Sequence, residues 1–560
     1  MSDTTTIEKV KQPLEKKVSL NGRAKSQKPE REHRKDWKSY EKIGFRVAFI
    51  FFISICIPNS LNWYTHLIHI DWFNLHYRDL YDIARFGSGL NFFGNSIFGN
   101  SLLGYANWII TLGFAIIGGV IWTVLDQKSK QPAKEYNMLY YWLRVIVRYR
   151  AGIGIIGFGF TKLLPVQMPY PSEGILNTDF GDFTPQKIFW LSIGIVPWYQ
   201  IFSGVVEILA GFLLFFRGTA ALGAALLIGT LGTITYVNFA YDGGVHVYAS
   251  YFVLLGLFVL WFYIPRIYRL LILEKYTIPV NHYPSLTKNW QKYSRIFLKS
   301  ATIIIFIGVF FYLQYVNFLY DPYKQPSTKG ITELRGYYDV VDFKINGETI
   351  PYDPLSPIRW KDVTFEKWTT LTYKVNKPTP LDLSNGGGDP MRDINRTFEI
   401  AGVGGGTRVF HYFADTIENK LYLQDKYKAR PDRRNVTAGA GGDAAHKEAR
   451  FANLNEFQQS KAGIYADNWI SKEAWSHIGD ENHFIDPRAA STRRDREFEA
   501  NKGKYDERKR MVLEYQIKDN GAQVILSGVN EDQDSLNIVL QRVKRDYVIS
   551  KGELEAGKYE

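Results

Sequence analysis

One cysteine occurs in 560 residues, Cys56. It excludes an internal disulfide, a Cys-x-x-Cys redox pair and a thiolate metal cluster, so any redox chemistry needs a bound cofactor or a partner. Long apolar runs are missing after residue 320, although they crowd residues 43–318. The two halves therefore obey different rules, a polytopic membrane part and an extramembrane part. No signal peptide is expected, because the apolar run starts late and no small-residue cleavage pattern follows it. The net charge is +12, and such a surplus has to be set against membrane orientation before nucleic acid is invoked.

Seven candidate spans follow from the apolar runs, at about 43–64, 104–125, 139–164, 188–216, 218–240, 246–273 and 297–318, most of them near the roughly 20 residues that a bilayer requires. The first apolar run stops at Pro58-Asn59 and needs the aromatic segment after it to reach across. Residues 1–42 read as a disordered basic tail, since Met1–Arg46 carries 13 Lys/Arg against 7 Asp/Glu without apolar periodicity. With the tail inside, the inner segments hold 24 basic residues and the outer loops only Arg78, Arg85 and Lys187. That asymmetry predicts a cytoplasmic N-terminus and puts everything after Tyr320 on the outer side of the membrane. It accounts for most of the charge, and no nucleic acid partner is expected.

From residue 325 to 560 the pattern becomes alternating, as in GYYDVVDFKING, RVFHYFADTIENKLYLQ and MVLEYQIKDNGAQVILSGV. Alternation bounded by NG, DNG and glycine-rich breaks predicts an antiparallel β-rich domain, a small sandwich or partial barrel. The glycine clusters at 385–389 and 402–406 are not followed by the Lys-Ser/Thr of a phosphate loop, and read as flexible turns. A charged insertion, about 428–509, interrupts the strands, with helical patterning at Ala444–Ser460 and Ser471–Ile478. It is either a partner-binding element or disorder.

Ionisable residues at membrane depth are expensive and mark candidate sites. Arg150 and Glu207 lie about nine residues from the same face, roughly 13 Å. An ion pair between them is expected, as a structural lock of helix register or as functional machinery. At the outer face Lys162, Asp242 and His246 fall near one membrane surface, with Gln167 and Tyr199 within reach. A histidine beside a carboxylate can move protons, and a lysine can hold an anionic or carbonyl-bearing ligand; polar residues at helix ends also simply meet water. His66, His69 and His76 are weak zinc candidates without any cysteine to help. Small residues in spans three to five, among them Gly152, Gly159, Gly204, Gly211 and Gly223, predict close helix packing.

The order of Arg150-x-Gly152, GFGFTKLLP, QMPYPS (167–172), FSGVVE (202–207), FRGT (216–219) and NFAYDGGVHVYAS (238–250) resembles the DoxX-like membrane proteins, in a long form whose β-rich part carries GYYDVVDFKING (336–347) and RWKDVTFE (359–366). The resemblance implies a four-helix core at about 139–273 within a transmembrane domain of residues 43–320. It also implies a redox-associated inner-membrane subunit, because some relatives belong to quinone-linked oxidation complexes. The leading expectation is a quinone- or lipid-binding subunit of a redox or cell-envelope complex, with Lys162, Asp242 and His246 at the head group. The alternatives are a non-enzymatic assembly subunit that binds partners through its outer domain, and a small-molecule transporter.

Overall fold

The computed structural model describes residues 37–86, 103–275, 281–427 apart from scattered positions between 323 and 392, and 508–549, with short pieces at 30–31, 277–278, 488–489, 554–555 and 558–559. Most of the basic tail and of the charged insertion, including its two expected helical stretches, lies outside the described residues.

Among the described residues twelve helices precede the strands: α1 (Ser39–Cys56), α2 (Leu61–His69), α3 (Tyr77–Ala84), α4 (Leu103–Lys128), α5 (Asn137–Leu163), α6 (Glu173–Leu176), α7 (Pro185–Gly194), α8 (Pro197–Leu214), α9 (Ala220–Ala240), α10 (His246–Trp261), α11 (Ile264–Leu271) and α12 (Asn289–Tyr320). Four of them, α4, α8, α9 and α12, are long and apolar enough to cross a membrane, or five spans if α10 and α11, bent by 66°, count as one. The expected seven-span bundle is therefore corrected, and the reasons are local. Pro58 follows the end of α1, and the next residues restart as a separate short helix. Pro197 divides the expected fourth span into α7 and α8. Helix α5 is long enough but carries Arg144, Arg148, Arg150 and Lys162, and half of it is wrapped by other helices.

Helices α5, α8, α9 and α10 pack around one another as a four-helix unit, with α1 and α4 against one flank. Its core gathers Leu143, Val147, Ala151, Ala210, Leu214, Leu227, Phe252 and Leu255. Against the other side, Phe310 of α12 and Leu80 of α3 pack on Ile156 and Phe160.

Beyond α12 the chain forms an antiparallel barrel: β1 (Gly336–Ile345), β2 (Asp362–Phe365), β3 (Thr370–Lys374), β4 (Thr407–Asp415), β5 (Lys420–Asp425), β6 (Arg510–Lys518), β7 (Gln523–Val529) and β8 (Ser535–Val543). Each strand bonds to the next in chain order, and β8 returns to β1 with Leu536 opposite Ile345 and Val543 opposite Tyr337. The eight-stranded sheet is thus closed, which corrects the expected sandwich or partial barrel. Closure removes the exposed edges that either alternative leaves. Inward residues such as Leu513, Leu526 and Ile538 alternate with outward ones. Tyr338, Phe343, Trp360, Phe365, Tyr373, Phe410 and Tyr412 fill the interior, with Trp360 and Tyr373 stacked 3.8 Å apart. Eight strands leave room for side chains and little else, so this barrel is a packed core.

Candidate functional site

The site begins with a glycine seam. Helices α5 and α8 run antiparallel, with Gly152 against Gly211 and Gly159 against Gly204. A Cβ at Gly204 would stand 2.4 Å from the Leu163 amide nitrogen, and one at Gly152 would stand 2.9 Å from the Gly211 carbonyl oxygen. Only glycine admits such an approach, and backbone proximity of this kind is how membrane helices gain contact without a hydrophobic force between them. The seam brings the two polar side chains of α5 and α8 together: Lys162 Nζ donates to Glu207 Oε1 in a buried ion pair.

Glu207 therefore pairs with Lys162, and the expected Arg150–Glu207 pair is corrected. In the seam's register Glu207 stands level with Ile156, six residues from both cations, or about 9 Å along the axis. Depth alone does not choose between them. Phase does: Arg150 precedes Gly152 by two residues and projects about 160° away from the seam, whereas Lys162 follows Gly159 by three and lies only about 60° from it. Helical side chains also lean toward their own N-terminus. That lean carries Lys162 and Glu207 toward each other and Arg150 away.

Arg150 instead faces α3. Its Nη1 donates to the Ala84 carbonyl at 2.9 Å, its Nη2 to the Phe86 carbonyl at 3.5 Å, and its guanidinium lies 3.9 Å over the Phe86 ring. A cation on the last carbonyls of a helix complements the partial negative charge there. The role visible for Arg150 is to hold α3 against the bundle.

The loop after α5 follows directly on Lys162, which is itself only 7% exposed. Gln200 fastens the loop, accepting from Met168 N at 3.0 Å and donating to Met168 O at 3.1 Å. Thr161 Oγ1 donates to Gln167 Oε1 at 3.4 Å. Tyr199 is 54% exposed and stays outside this arrangement. Asp242 holds a left-handed φ of 52° in the turn before α10. His246, 1% exposed, opens α10 with its Nδ1 3.3 Å from the Tyr105 hydroxyl and its ring stacked on Tyr105. The expected outer cluster is thus divided, with Lys162 turned into the bundle toward Glu207. His66 and His69 lie on α2, where His69 Nδ1 is 2.7 Å from the Thr65 carbonyl, and His76 caps α3 by accepting from Arg78 N. Among the described residues no group of three His, Cys, Asp or Glu side chains is placed to hold a metal.

A second polar centre, absent from the sequence reading, joins bundle to barrel. The Gly174 and Glu173 amides at the start of α6 donate to Glu366 at the end of β2, at 2.7 and 3.0 Å. Lys187 of α7 donates to the Phe398 carbonyl at 2.5 Å, and Lys324 lies 3.6 Å over Trp190. Glu399 accepts from Lys426 at 2.9 Å and from Trp368 at 2.7 Å, while Arg396 pairs with Asp321. Burial pushes the Glu366 carboxyl up to about 7 and pushes the Lys187 ammonium down to about 7. Burial and the charge of Lys187 hold Lys324 well below the usual lysine range. The glycines at 402–406, expected as flexible, fix this junction: Gly402 O accepts from Thr184 N at 2.9 Å, and a Cβ on Gly406, at φ 81°, would fall 1.8 Å from Val375 O.

No family model matches the chain, and no solved structure matches it. An alignment over 101 residues, covering 16% of this chain, is 33% identical to the uncharacterized protein YwoB of Bacillus subtilis (strain 168). The match spans 66% of that protein's length.

Proposed function

We propose that this is a DoxX-like inner-membrane protein whose bundle binds a quinone or another isoprenoid lipid at the Lys162–Glu207 pair, as a subunit of a redox or cell-envelope complex. One observation carries the reading. Glu207 is fully buried, its Oε1 takes Lys162, and its Oε2 meets no hydrogen-bond donor among the described residues. A buried acceptor left unpaired costs about 1–3 kcal/mol, and the hydroxyl of a quinol head group is a donor of the right kind. The order of motifs along α5, α8, α9 and α10 supports the family assignment. A cytoplasmic N-terminus and a periplasmic barrel are supported by the gathering of Arg144, Arg148, Arg217, Arg266, Arg295 and Lys299 at the bundle end remote from the barrel. Solvent extraction of the purified protein with mass spectrometry tests the ligand: an isoprenoid quinone or lipid is expected, and its absence from protein taken from native membranes sinks the reading.

A second reading rests on the barrel. Its filled interior and its buried ionic attachment to the bundle suit a rigid platform on which other subunits assemble. Deletion of residues 428–509 discriminates, because loss of a copurifying partner with the bundle intact favours the platform.

A further inference from the structure

We infer that the bundle end remote from the barrel is a binding site for the phosphate head group of an anionic phospholipid, separate from the Lys162–Glu207 centre. Six cations from four elements converge there: Arg144 and Arg148 on α5, Arg217 in the turn after α8, Arg266 on α11, and Arg295 and Lys299 on α12. Arg148 has Arg217, Tyr263, Tyr141 and Tyr149 as its electrostatic neighbours. Those of Arg144 include Arg148 and Arg266, and those of Lys299 are Arg295, Arg148 and Arg217. Among the described residues no carboxylate is one of the leading electrostatic partners of these three cations. Like charges brought together at the edge of a membrane repel, and the arrangement becomes favourable when an anion sits between them.

Arg148 points most directly to a ligand. It is only 7% exposed, and its Nε meets no hydrogen-bond acceptor among the described residues. An arginine fork buried without a carboxylate is matched by phosphate, whose oxygens accept its parallel N–H groups. The walls suit a lipid. Arg144 lies 3.5 Å over the Phe262 ring, Arg217 lies 3.8 Å over Tyr283, and Lys299 lies 3.9 Å over Phe216. Aromatic faces hold the cations in position without neutralising them. Beside them the apolar outer surface of α12, with Ile296, Phe297 and Leu298 all more than half exposed, offers a track for acyl chains.

The test uses the full-length protein in neutral detergent, offered equal amounts of phosphatidylglycerol and phosphatidylcholine and read by native mass spectrometry. Wild type is expected to retain phosphatidylglycerol preferentially. The variant R217Q/K299Q, altered at solvent-reachable positions that leave the fold intact, should lose about twenty-fivefold in that retention, at about fivefold per basic residue, with phosphatidylcholine unchanged. R148Q should lose it further. Equal retention of the two lipids by wild type, or unchanged retention in R217Q/K299Q, overturns the proposal. Displacement of the lipid by millimolar inorganic phosphate also overturns it, since the site would then take the free anion.

Discussion

Removing Lys162 should damage this protein more than removing Lys162 and Glu207 together. Glu207 is 0% exposed, and its one hydrogen bond among the described residues comes from Lys162. In Lys162→Met the carboxylate stays in the bundle with both oxygens unpaired, and breaking a buried pair in this way costs about 3–5 kcal/mol. In the double variant Lys162→Met/Glu207→Leu no charge remains to be desolvated. Volume is nearly conserved, so the expected cost falls to about 1 kcal/mol or less. The single costs should therefore fail to add by several kcal/mol, the mark of a direct pair. Reversible unfolding in mixed micelles, followed by tryptophan fluorescence, measures each corner of the cycle. A Lys162→Met cost below about 1 kcal/mol, the worth of a solvated pair, would refute the buried pairing. So would simple additivity.

Other outcomes follow from the same geometry. Gly204→Val forces the α5–α8 backbones apart, since the added carbon meets main chain at 2.4 Å; a loss of about 3 kcal/mol or more is expected in the same unfolding assay. Phe365→Ala empties part of the barrel core and should cost about 3–5 kcal/mol, measured by thermal unfolding. The carboxyl of Glu366 rises from 4.5 to about 7 in the folded protein, so the native state holds the extra proton. Stability is full below pH 4.5, falls as pH rises toward 7, and then levels off, with a total loss of roughly 3 kcal/mol. Glu366→Gln should flatten that slope when unfolding midpoints at pH 5 and 7.5 are compared. Lys187 has the opposite sign: its folded form favours the neutral amine, so between pH 7 and 10.5 stability rises with pH, and Lys187→Met should abolish the rise in midpoints taken across that window.

The sequence placed the change of architecture at residue 320 because apolar runs and alternating strands differ in period, and period is local. Closure of the barrel was not legible, since it depends on β1 pairing with β8 across nearly two hundred residues. The small residues of α5 and α8 correctly announced a close seam. Reading depth without rotational phase then joined Glu207 to the wrong cation, although the spacing from Gly152, Gly159 and Gly204 already contained the angle. The span count failed where prolines cut apolar runs and where α5 carries its charges. The junction was hidden for another reason. Lys187 reaches a carbonyl 211 residues away and Glu366 reaches an amide 192 residues away, and no local pattern marks such partners.

The most direct test of the proposed ligand site compares wild type with Glu207→Gln, both purified in mild detergent from native membranes and shown to unfold cooperatively. Native mass spectrometry should find an isoprenoid quinone or lipid on the wild type in near-equimolar amount and much less on the variant. Wild type without an isoprenoid adduct, or equal adducts on both proteins, would contradict a ligand held at Glu207.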